Sequence, residues 1–113
     1  MHELSLAGGI LGIVEEARSR ERFDRVKRLT VEAGALAGVE LRSLRFALES
    51  LAPGSCIEGA TIEIDVAPGA AWCMHCCRSV AIASRTDPCP ECAGHQLQPT
   101  GGTELKLREL IVQ

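Results

Sequence analysis

The sequence predicts an α+β protein in which two helices cover a small mixed three-stranded sheet, and a four-cysteine module precedes the last strand. Two observations support this fold class. Apolar residues recur at helical spacing in two segments and alternate with polar residues in three others. Four of the six cysteines lie in two Cys-x-x-Cys pairs within residues 73–92. The predicted order is therefore helix, strand, helix, strand, cysteine module and strand.

The first predicted helix covers residues 2–20. One face carries apolar residues at spacings of three and four: Leu4, Ala7, Leu11 and Val14. Three further apolar residues widen this face: Leu6, Ile10 and Ile13. The same segment contains three glycines, each of which lowers helix propensity by roughly 1 kcal/mol relative to alanine. Gly8 and Gly12 lie one helical turn apart, and we expect them to let another element pack closely.

The second predicted helix covers residues 40–51, with leucines at the same spacing, and ends before Pro53-Gly54. Alternating apolar residues predict strands at 26–33, 60–67 and 104–112. A short hairpin is expected within residues 78–85, and a linker at residues 99–102. The predicted organisation is one domain of residues 1–68 plus 102–113, into which a second domain of residues 69–101 is inserted.

Composition narrows the classes of function. The chain has 113 residues and a net charge of −3, which argues against a phosphate-binding surface as its main purpose. The module at 70–98 has balanced charges and no basic face, so nucleic acid is not an expected partner. No segment approaches the ~20 apolar residues that span a bilayer. The start lacks a basic signal-peptide region, which predicts a cytoplasmic protein without a membrane partner.

The two Cys-x-x-Cys pairs predict one closed metal site of the zinc-ribbon or rubredoxin-like type. Zn(II) binds four thiolates tetrahedrally at about 2.3 Å, and such closed sites are structural. Iron, a disulfide framework and four unrelated buried cysteines are the alternatives; reduced cytoplasmic thiols favour metal over disulfides. The ligands indicated by this spacing are Cys73, Cys76, Cys89 and Cys92.

The remaining cysteines and two of the histidines leave alternatives open. Cys77 adjoins Cys76 and is able to replace it as a ligand, although the two-residue spacing is commoner and favours Cys76. Cys56 is expected to be a buried, unreactive thiol. His75 and His95 flank the site and are expected to face solvent, with His95 also a secondary metal-ligand candidate.

The third histidine, His2, follows the first residue directly. The amine of Met1, the backbone nitrogen and imidazole of His2, and the Glu3 amide can surround one ion with four nitrogens. Four nitrogens in a plane suit Ni(II) or Cu(II) rather than Zn(II). An amino terminus has a pKa near 8 and can lose its proton near neutral pH. On chemistry alone, the position of His2 favours a solvated histidine at a helix start.

The Met1-His2-Glu3 start together with the two cysteine pairs resembles the HypA/HybF family of nickel-insertion accessory proteins for [NiFe]-hydrogenase maturation. A Gly34-x-Leu36-x-Gly38-Val39-Glu40 turn and the stretch Ser43-Leu44-x-Phe46-Ala47 extend the resemblance along the whole chain.

The resemblance implies a nickel metallochaperone whose α/β domain binds nickel and carries a zinc domain as an insertion. It implies His2 as the essential nickel ligand, with the amino terminus of Met1 and the Glu3 backbone beside it. An acidic residue after the turn, here Glu40, is associated with the nickel region, and His95 would fit a further nickel ligand. The implied partners are a HypB-type GTPase and the [NiFe]-hydrogenase large subunit. The chain is expected to be a monomer or homodimer.

Two rival functions belong to other classes. A zinc-ribbon interaction module in transcription or translation would favour a basic face, which is missing from the sequence. A thiol oxidoreductase needs one reactive cysteine pair with a lowered thiolate pKa, whereas four metal-bound thiolates are inert. No other catalytic set is recognisable, so the chain is not expected to be an enzyme.

Overall fold

The computed structural model describes residues 2–113, so Met1 lies outside the described residues. Its two helices and six strands follow the predicted order, and each predicted helix and long strand agrees with the structure to within one residue at either end. The elements are α1 (His2–Glu21), β1 (Val26–Gly34), α2 (Leu41–Leu51), β2 (Thr61–Ala67), β3 (Gly69–Cys73), β4 (Arg78–Ile82), β5 (Leu97–Gly101) and β6 (Leu105–Val112).

The strands form two three-stranded sheets, one in the order β2-β1-β6 and the other in the order β4-β3-β5. In the second sheet β3 is central and pairs antiparallel with both neighbours, so that Trp72 lies opposite Ser79 and Gln98. No helix among residues 2–113 is long and apolar enough to cross a membrane.

Two sequence predictions about the cysteine module were wrong. Residues 99–102 are not a linker, because β5 runs from Leu97 to Gly101. Residues 78–85 do not form a hairpin of their own, because β4 pairs with β3, which ends at the first cysteine, Cys73. The alternation of apolar and polar residues did not predict β3 or β5, and each omission has a physical reason. The strand β3 is only five residues long and begins with Gly69, Ala70 and Ala71, which give no apolar–polar alternation. In β5, Pro99 and a register shift interrupt the pairing.

The chain divides into two compact units. The first contains the described residues up to Val31, Val39–Asp65 and Lys106–Gln113, and the second contains Glu32–Gly38 and Val66–Leu105. In the first unit, α1 and α2 each bury one face in a core of large aliphatic side chains. The fully buried aliphatic members of that core are Val14, Leu29, Val31, Leu44, Leu48 and Ile57.

The buried face of α1 shares Ala7, Ile10 and Val14 with the predicted face but does not include the predicted leucines. It consists of Ala7, Ile10, Val14 and Ala17, whereas Leu4 is 43% exposed. Since apolar residues surround most of this helix, their spacing does not select one face. The expectation that Gly8 and Gly12 allow close packing was also wrong, because a Cβ atom at either position would meet nothing within 4 Å.

The second unit has its own small core, which includes two of the cysteines. Its buried members are Leu36, Ala71, Cys73, Val80, Ile82 and Cys89, with Cys76, Cys92 and Leu97 packed against them. Backbone segments pass closely beside this core. A Cβ atom on Gly34 would overlap the backbone of Gly102, which itself has a φ of +69° and lies against Pro68. Glycine is required there for close approach and for backbone conformation.

Candidate metal centre

The four cysteines are presented by two turns of the same construction. After Cys73, at the end of β3, the N–H of Cys77 donates to the Cys73 carbonyl at 2.8 Å; the N–H of Ala93 donates likewise to the Cys89 carbonyl at 2.8 Å. Cys77 and Ala93 both have positive φ values, 53° and 60°. Each turn thus brings the two cysteines of its pair to one side.

This construction clarifies the position of Cys77. Cys77 is the residue with left-handed backbone conformation that closes the first turn, as Ala93 is in the second turn. Its side chain is exposed, and its sulfur lies 3.5 Å from the carbonyl oxygen of Met74. Cys77 is absent from the sulfur cluster, whose members are Cys73, Cys76, Cys89 and Cys92.

The spacing of the four sulfurs suits a tetrahedral ion. All four Sγ atoms lie within 4.8 Å of one another. The Sγ atoms of Cys73 and Cys92 are 3.8 Å apart, and those of Cys76 and Cys89 are 4.0 Å apart. A tetrahedral site with metal–sulfur bonds of about 2.3 Å requires sulfur separations of about 3.8 Å. The residues therefore fit a closed four-thiolate site.

The thiols of this cluster differ in acidity. Hydrogen bonds from the backbone N–H groups of Cys92 and Glu91 lower the pKa of Cys89 to about 7. Loss of hydration and the neighbouring sulfurs raise the pKa of Cys76 to about 12. Four thiolates this close repel one another, so a cation is needed to ionise the complete set. The arrangement is chemically that of a metal site rather than of a reactive thiol pair.

The first unit brings together three of the predicted nickel-region residues. His2 begins α1 and has a side chain that is 65% exposed, and its Nδ1 lies 3.5 Å from a carboxylate oxygen of Glu3. The same carboxylate of Glu3 accepts a hydrogen bond from the backbone N–H of Glu40 at 3.2 Å. That hydrogen bond is the main reason why the pKa of Glu3 is lowered, so the carboxylate is ionised near neutral pH.

Glu40 has a structural task at this position. It is the N-cap residue of α2, with extended backbone, and its carboxylate accepts from the backbone N–H groups of Arg42 and Ser43. The first N–H groups of a helix have no intrahelical acceptor, and a capping carboxylate satisfies them. The side chain of Glu40 is thus engaged with α2.

The other candidate residues have separate locations. His75 and His95 belong to the second unit and are exposed. Cys56 belongs to the first unit, is 7% exposed, and donates its backbone N–H to Glu15 at 3.3 Å. Burial and the Glu15 carboxylate raise the pKa of the Cys56 thiol to about 11.

Sequence reasoning missed residues that support the cysteine cluster. Leu36 lies in the core of the second unit, and its carbonyl accepts a hydrogen bond from Arg85 Nε at 2.8 Å. Asp87 accepts from the N–H groups of Ala83 and Ser84, at 2.9 and 3.1 Å, and closes the turn after β4. The Asp87-Pro88 pair is a turn signal in the sequence. Nothing in the sequence around Leu36 indicated that this residue packs in the core beside the cysteines.

The fold and the sulfur cluster together define a small α+β metal-binding protein. Comparison with known proteins is more specific. A family profile described as "Hydrogenase/urease nickel incorporation, metallochaperone, hypA" matches residues 1–112. The chain belongs to this HypA family, whose members are nickel metallochaperones for hydrogenase maturation.

Curated relatives and solved structures agree with this assignment. The hydrogenase maturation factor HypA of Cupriavidus necator is 58% identical over 113 residues, covering 100% of this chain and 95% of the relative. That of Polaromonas naphthalenivorans is 54% identical over 112 residues, covering 99% and 97%.

Two solution structures share the fold. The Ni metallochaperone HypA from Helicobacter pylori has a TM-score of 0.69 and 19% identity, covering 97% of this chain and 96% of that chain. A second HypA protein has a TM-score of 0.71 and 21% identity, covering 100% and 97%.

Proposed function

We propose that this protein delivers Ni(II) to the apo large subunit of [NiFe]-hydrogenase during maturation and itself catalyses no reaction. Membership of the HypA family supports the nickel role. The observation that carries the proposal is the exposed imidazole of His2 in the first turn of α1. A ligand at an exposed chain end can both take up an ion and release it, which a closed thiolate cluster does poorly.

The proposed nickel ligands are nitrogen atoms of the first three residues. Backbone N–H groups in the first turn of a helix have no intrahelical acceptor, so the amides of His2 and Glu3 are available to lose a proton and bind. The His2 imidazole and the Met1 amine, which lies outside the described residues, complete a square-planar set. Nickel affinity should fall as pH falls, because every one of these ligands must lose a proton. Glu40 and His95 are retained only as additional candidates.

The proposed role of the four-cysteine cluster is structural, with Zn(II) as its resident ion. The sulfur spacing supports a tetrahedral ion, and Zn(II) in a Cys₄ site contributes directly to folding. When bound, the ion neutralises the four thiolates. We therefore propose a nickel-binding domain of residues 1–68 plus 102–113 and a zinc-binding domain of residues 69–101. Nickel transfer would take place in the cytoplasm, with a HypB-type GTPase as the nickel source or co-deliverer.

A substitution at His2 tests the nickel site. His2→Ala should abolish stoichiometric Ni(II) binding in a calorimetric titration and leave the zinc content and far-UV circular dichroism unchanged. His75→Ala is the matched control, since it removes an exposed imidazole from the second unit, and it should bind nickel as the wild type does. Full nickel binding by the His2→Ala protein would overturn the proposed site.

An N-terminal extension tests the amine separately. Adding residues before Met1 retains His2 but converts the primary amine into an amide, so nickel affinity should fall sharply. Removing the extension with a protease that restores the native start should recover the affinity. Equal affinity before and after cleavage would remove the amine from the ligand set. A protein that retains zinc but binds no nickel in either form would instead act as a zinc-ribbon interaction module.

A further inference from the structure

The four sulfurs of the cysteine cluster are not equally accessible. Cys73 and Cys89 belong to the core of the second unit and are 0% and 1% exposed. Cys76 and Cys92, the second cysteine of each turn, are only half-buried. A reagent dissolved in water therefore reaches the cluster through Cys76 or Cys92.

Hydrogen bonds distinguish these two accessible sulfurs. The sulfur of Cys92 accepts from the backbone N–H of Gly94. The backbone of Gly94 lies so close that a Cβ atom on this residue would be 3.3 Å from the Cys92 sulfur. In the same turn the sulfur of Cys89 accepts from the N–H groups of Glu91 and Cys92. Both sulfurs of the second turn are therefore hydrogen-bonded to the backbone.

The sulfur of Cys76 lacks this support. In the first turn, the N–H of Cys76 donates to the sulfur of Cys73 at 3.4 Å. By its place in the turn, Arg78 corresponds to Gly94, but Arg78 begins β4 and lies opposite Cys73 in the ladder. Among residues 2–113, the Cys76 sulfur has only other sulfurs as hydrogen-bond partners.

This difference affects reactivity. Backbone N–H groups that donate to a metal-bound sulfur draw negative charge from it and make it a weaker nucleophile. Binding to a metal slows the reactions of all four thiolates, so their order of reaction depends on exposure and on hydrogen bonding. Cys76 is the one sulfur of the cluster that is both half-buried and without a backbone donor.

We propose that Cys76 is a redox-sensitive modification site, at which hydrogen peroxide opens the zinc site of the second unit. The thiolate sulfur of Cys76 attacks one peroxide oxygen, the O–O bond breaks, and a sulfenic acid and hydroxide form. The sulfur is oxidised and the peroxide is reduced in this step. The inference rests on the proposed structural zinc and is independent of nickel delivery.

Cys89 is placed to complete the reaction. Its sulfur lies 4.0 Å from that of Cys76, so its thiolate can displace hydroxide from the sulfenic acid and form a disulfide. Cys77 is poorly placed for this step. Adjacent α-carbons are about 3.8 Å apart, which is less than the ~4.4 Å that disulfides usually need. The sulfur of Cys77 also lies against the carbonyl oxygen of Met74, at 3.5 Å.

The disulfide leaves the metal site incomplete. Cys73 and Cys92 are the two thiolates of the cluster that remain, and two ligands do not form a closed tetrahedral site. A thiol reductant reverses the change by exchange with the disulfide. In a reducing compartment the disulfide is therefore transient, and the zinc content of the second unit depends on the balance between peroxide and thiols.

Peroxide treatment of the zinc-loaded Cys77→Ser protein tests the proposal without interference from the exposed Cys77 thiol. Limiting hydrogen peroxide is added beside a colorimetric zinc indicator, and sulfenic acids are trapped with dimedone for peptide mass spectrometry. Cys76 should be oxidised first, roughly fivefold or more ahead of Cys92, and zinc release should follow at the same rate. Cys92 is the matched internal control, since it is the half-buried second cysteine of its own turn.

Without dimedone, peptide mapping should find a disulfide between Cys76 and Cys89, and dithiothreitol with added zinc should restore the zinc content. The wild type should give the same order among the four ligands. Earlier oxidation of Cys92, equal oxidation of the four cysteines, or a disulfide between Cys73 and Cys76 would overturn the proposal. A protein that holds no zinc at the start would refute the proposed structural ion as well, whereas unselective oxidation of the zinc-loaded protein would refute this inference alone.

Discussion

The role that the structure gives to the Glu40 carboxylate differs from the role expected from the sequence. The family resemblance associated this acidic residue with the nickel region. The structure places it at the N-cap of α2, where it accepts from the backbone N–H groups of Arg42 and Ser43, while its own N–H donates to Glu3. Capping is sufficient to account for an acidic residue here, and the two roles are experimentally separable.

Replacing Glu40 by alanine should lower the free energy of unfolding by about 1 kcal/mol, the usual cost of removing an N-cap. Glu40→Asp preserves a capping carboxylate and should retain most of the stability. Urea denaturation followed by circular dichroism measures both values. Nickel affinity should change little in either variant. A large loss of nickel affinity with unchanged stability would instead identify Glu40 as a ligand.

The thiols outside the sulfur cluster should react at very different rates. Cys77 is exposed, whereas burial and Glu15 raise the pKa of Cys56 to about 11. At pH 8 the Cys56 thiolate is therefore scarce as well as shielded, and its reaction rate should rise only as the pH approaches that value. Iodoacetamide labelling of the metal-loaded protein, read by peptide mass spectrometry, should modify Cys77 first. Cys77→Ser should remove the fast phase.

At the scale of elements, α1 contains glycines that its packing does not require. Gly8, Gly9 and Gly12 are exposed, and a Cβ atom at each would meet nothing within 4 Å. Replacing each by alanine should therefore stabilise the folded state by up to about 1 kcal/mol, because alanine loses less backbone freedom on folding. Thermal and urea unfolding of the single and triple variants would measure the gain.

Two other glycines provide the opposite control. A Cβ atom on Gly34 would overlap backbone atoms of Gly102, and Gly102 has a φ of +69° as well as a crowded neighbour in Pro68. Alanine at either position should destabilise the protein, since backbone cannot move aside as a flexible side chain can. If Gly34→Ala raised the free energy of unfolding as much as Gly12→Ala does, the two backbone segments could not lie as close together as the structure shows.

At the scale of the whole molecule, the second unit should depend on its metal for folding. Cys73 and Cys89 belong to its small buried core, and Cys76 and Cys92 pack against that core. Without an ion, the four sulfur groups are no longer bonded to a common cation. A core this small rarely folds without a metal ion or another cross-link. Metal removal should therefore unfold the strands β3 to β5.

A chelator titration measures this dependence. The emission of Trp72, the single tryptophan, should shift as its strand loses order, and the strand signal in circular dichroism should fall. The helical signal of α1 and α2 should persist, because their core contains none of the four cysteines. Zinc should restore the original spectra. Retention of the Trp72 spectrum after complete metal removal would contradict a structural role for the ion.

Much of the fold was predictable because the relevant signals are local. The helix spacing of α2, the alternation in β1 and β2, and the breaker at Pro53-Gly54 each lie within a few residues, and the corresponding elements form as predicted. The cysteine spacing was also sufficient to group four sulfurs, because two tight turns impose the geometry. The strands β3 and β5 were missed, since their stability comes from pairing with distant segments rather than from their own residues.

The sequence by itself determined the chemistry of this protein: a tetrathiolate cluster, a histidine at the second position, and the order of helices and long strands. Only the tertiary structure decided which face of α1 is buried, that Glu40 caps α2, that Cys77 closes a turn outside the cluster, and that residues 32–38 join the core around the cysteines. The division has a physical reason. Ligand type, turn chemistry and periodicity are properties of neighbouring residues, whereas burial, capping partners and strand edges depend on contacts between segments far apart in the chain.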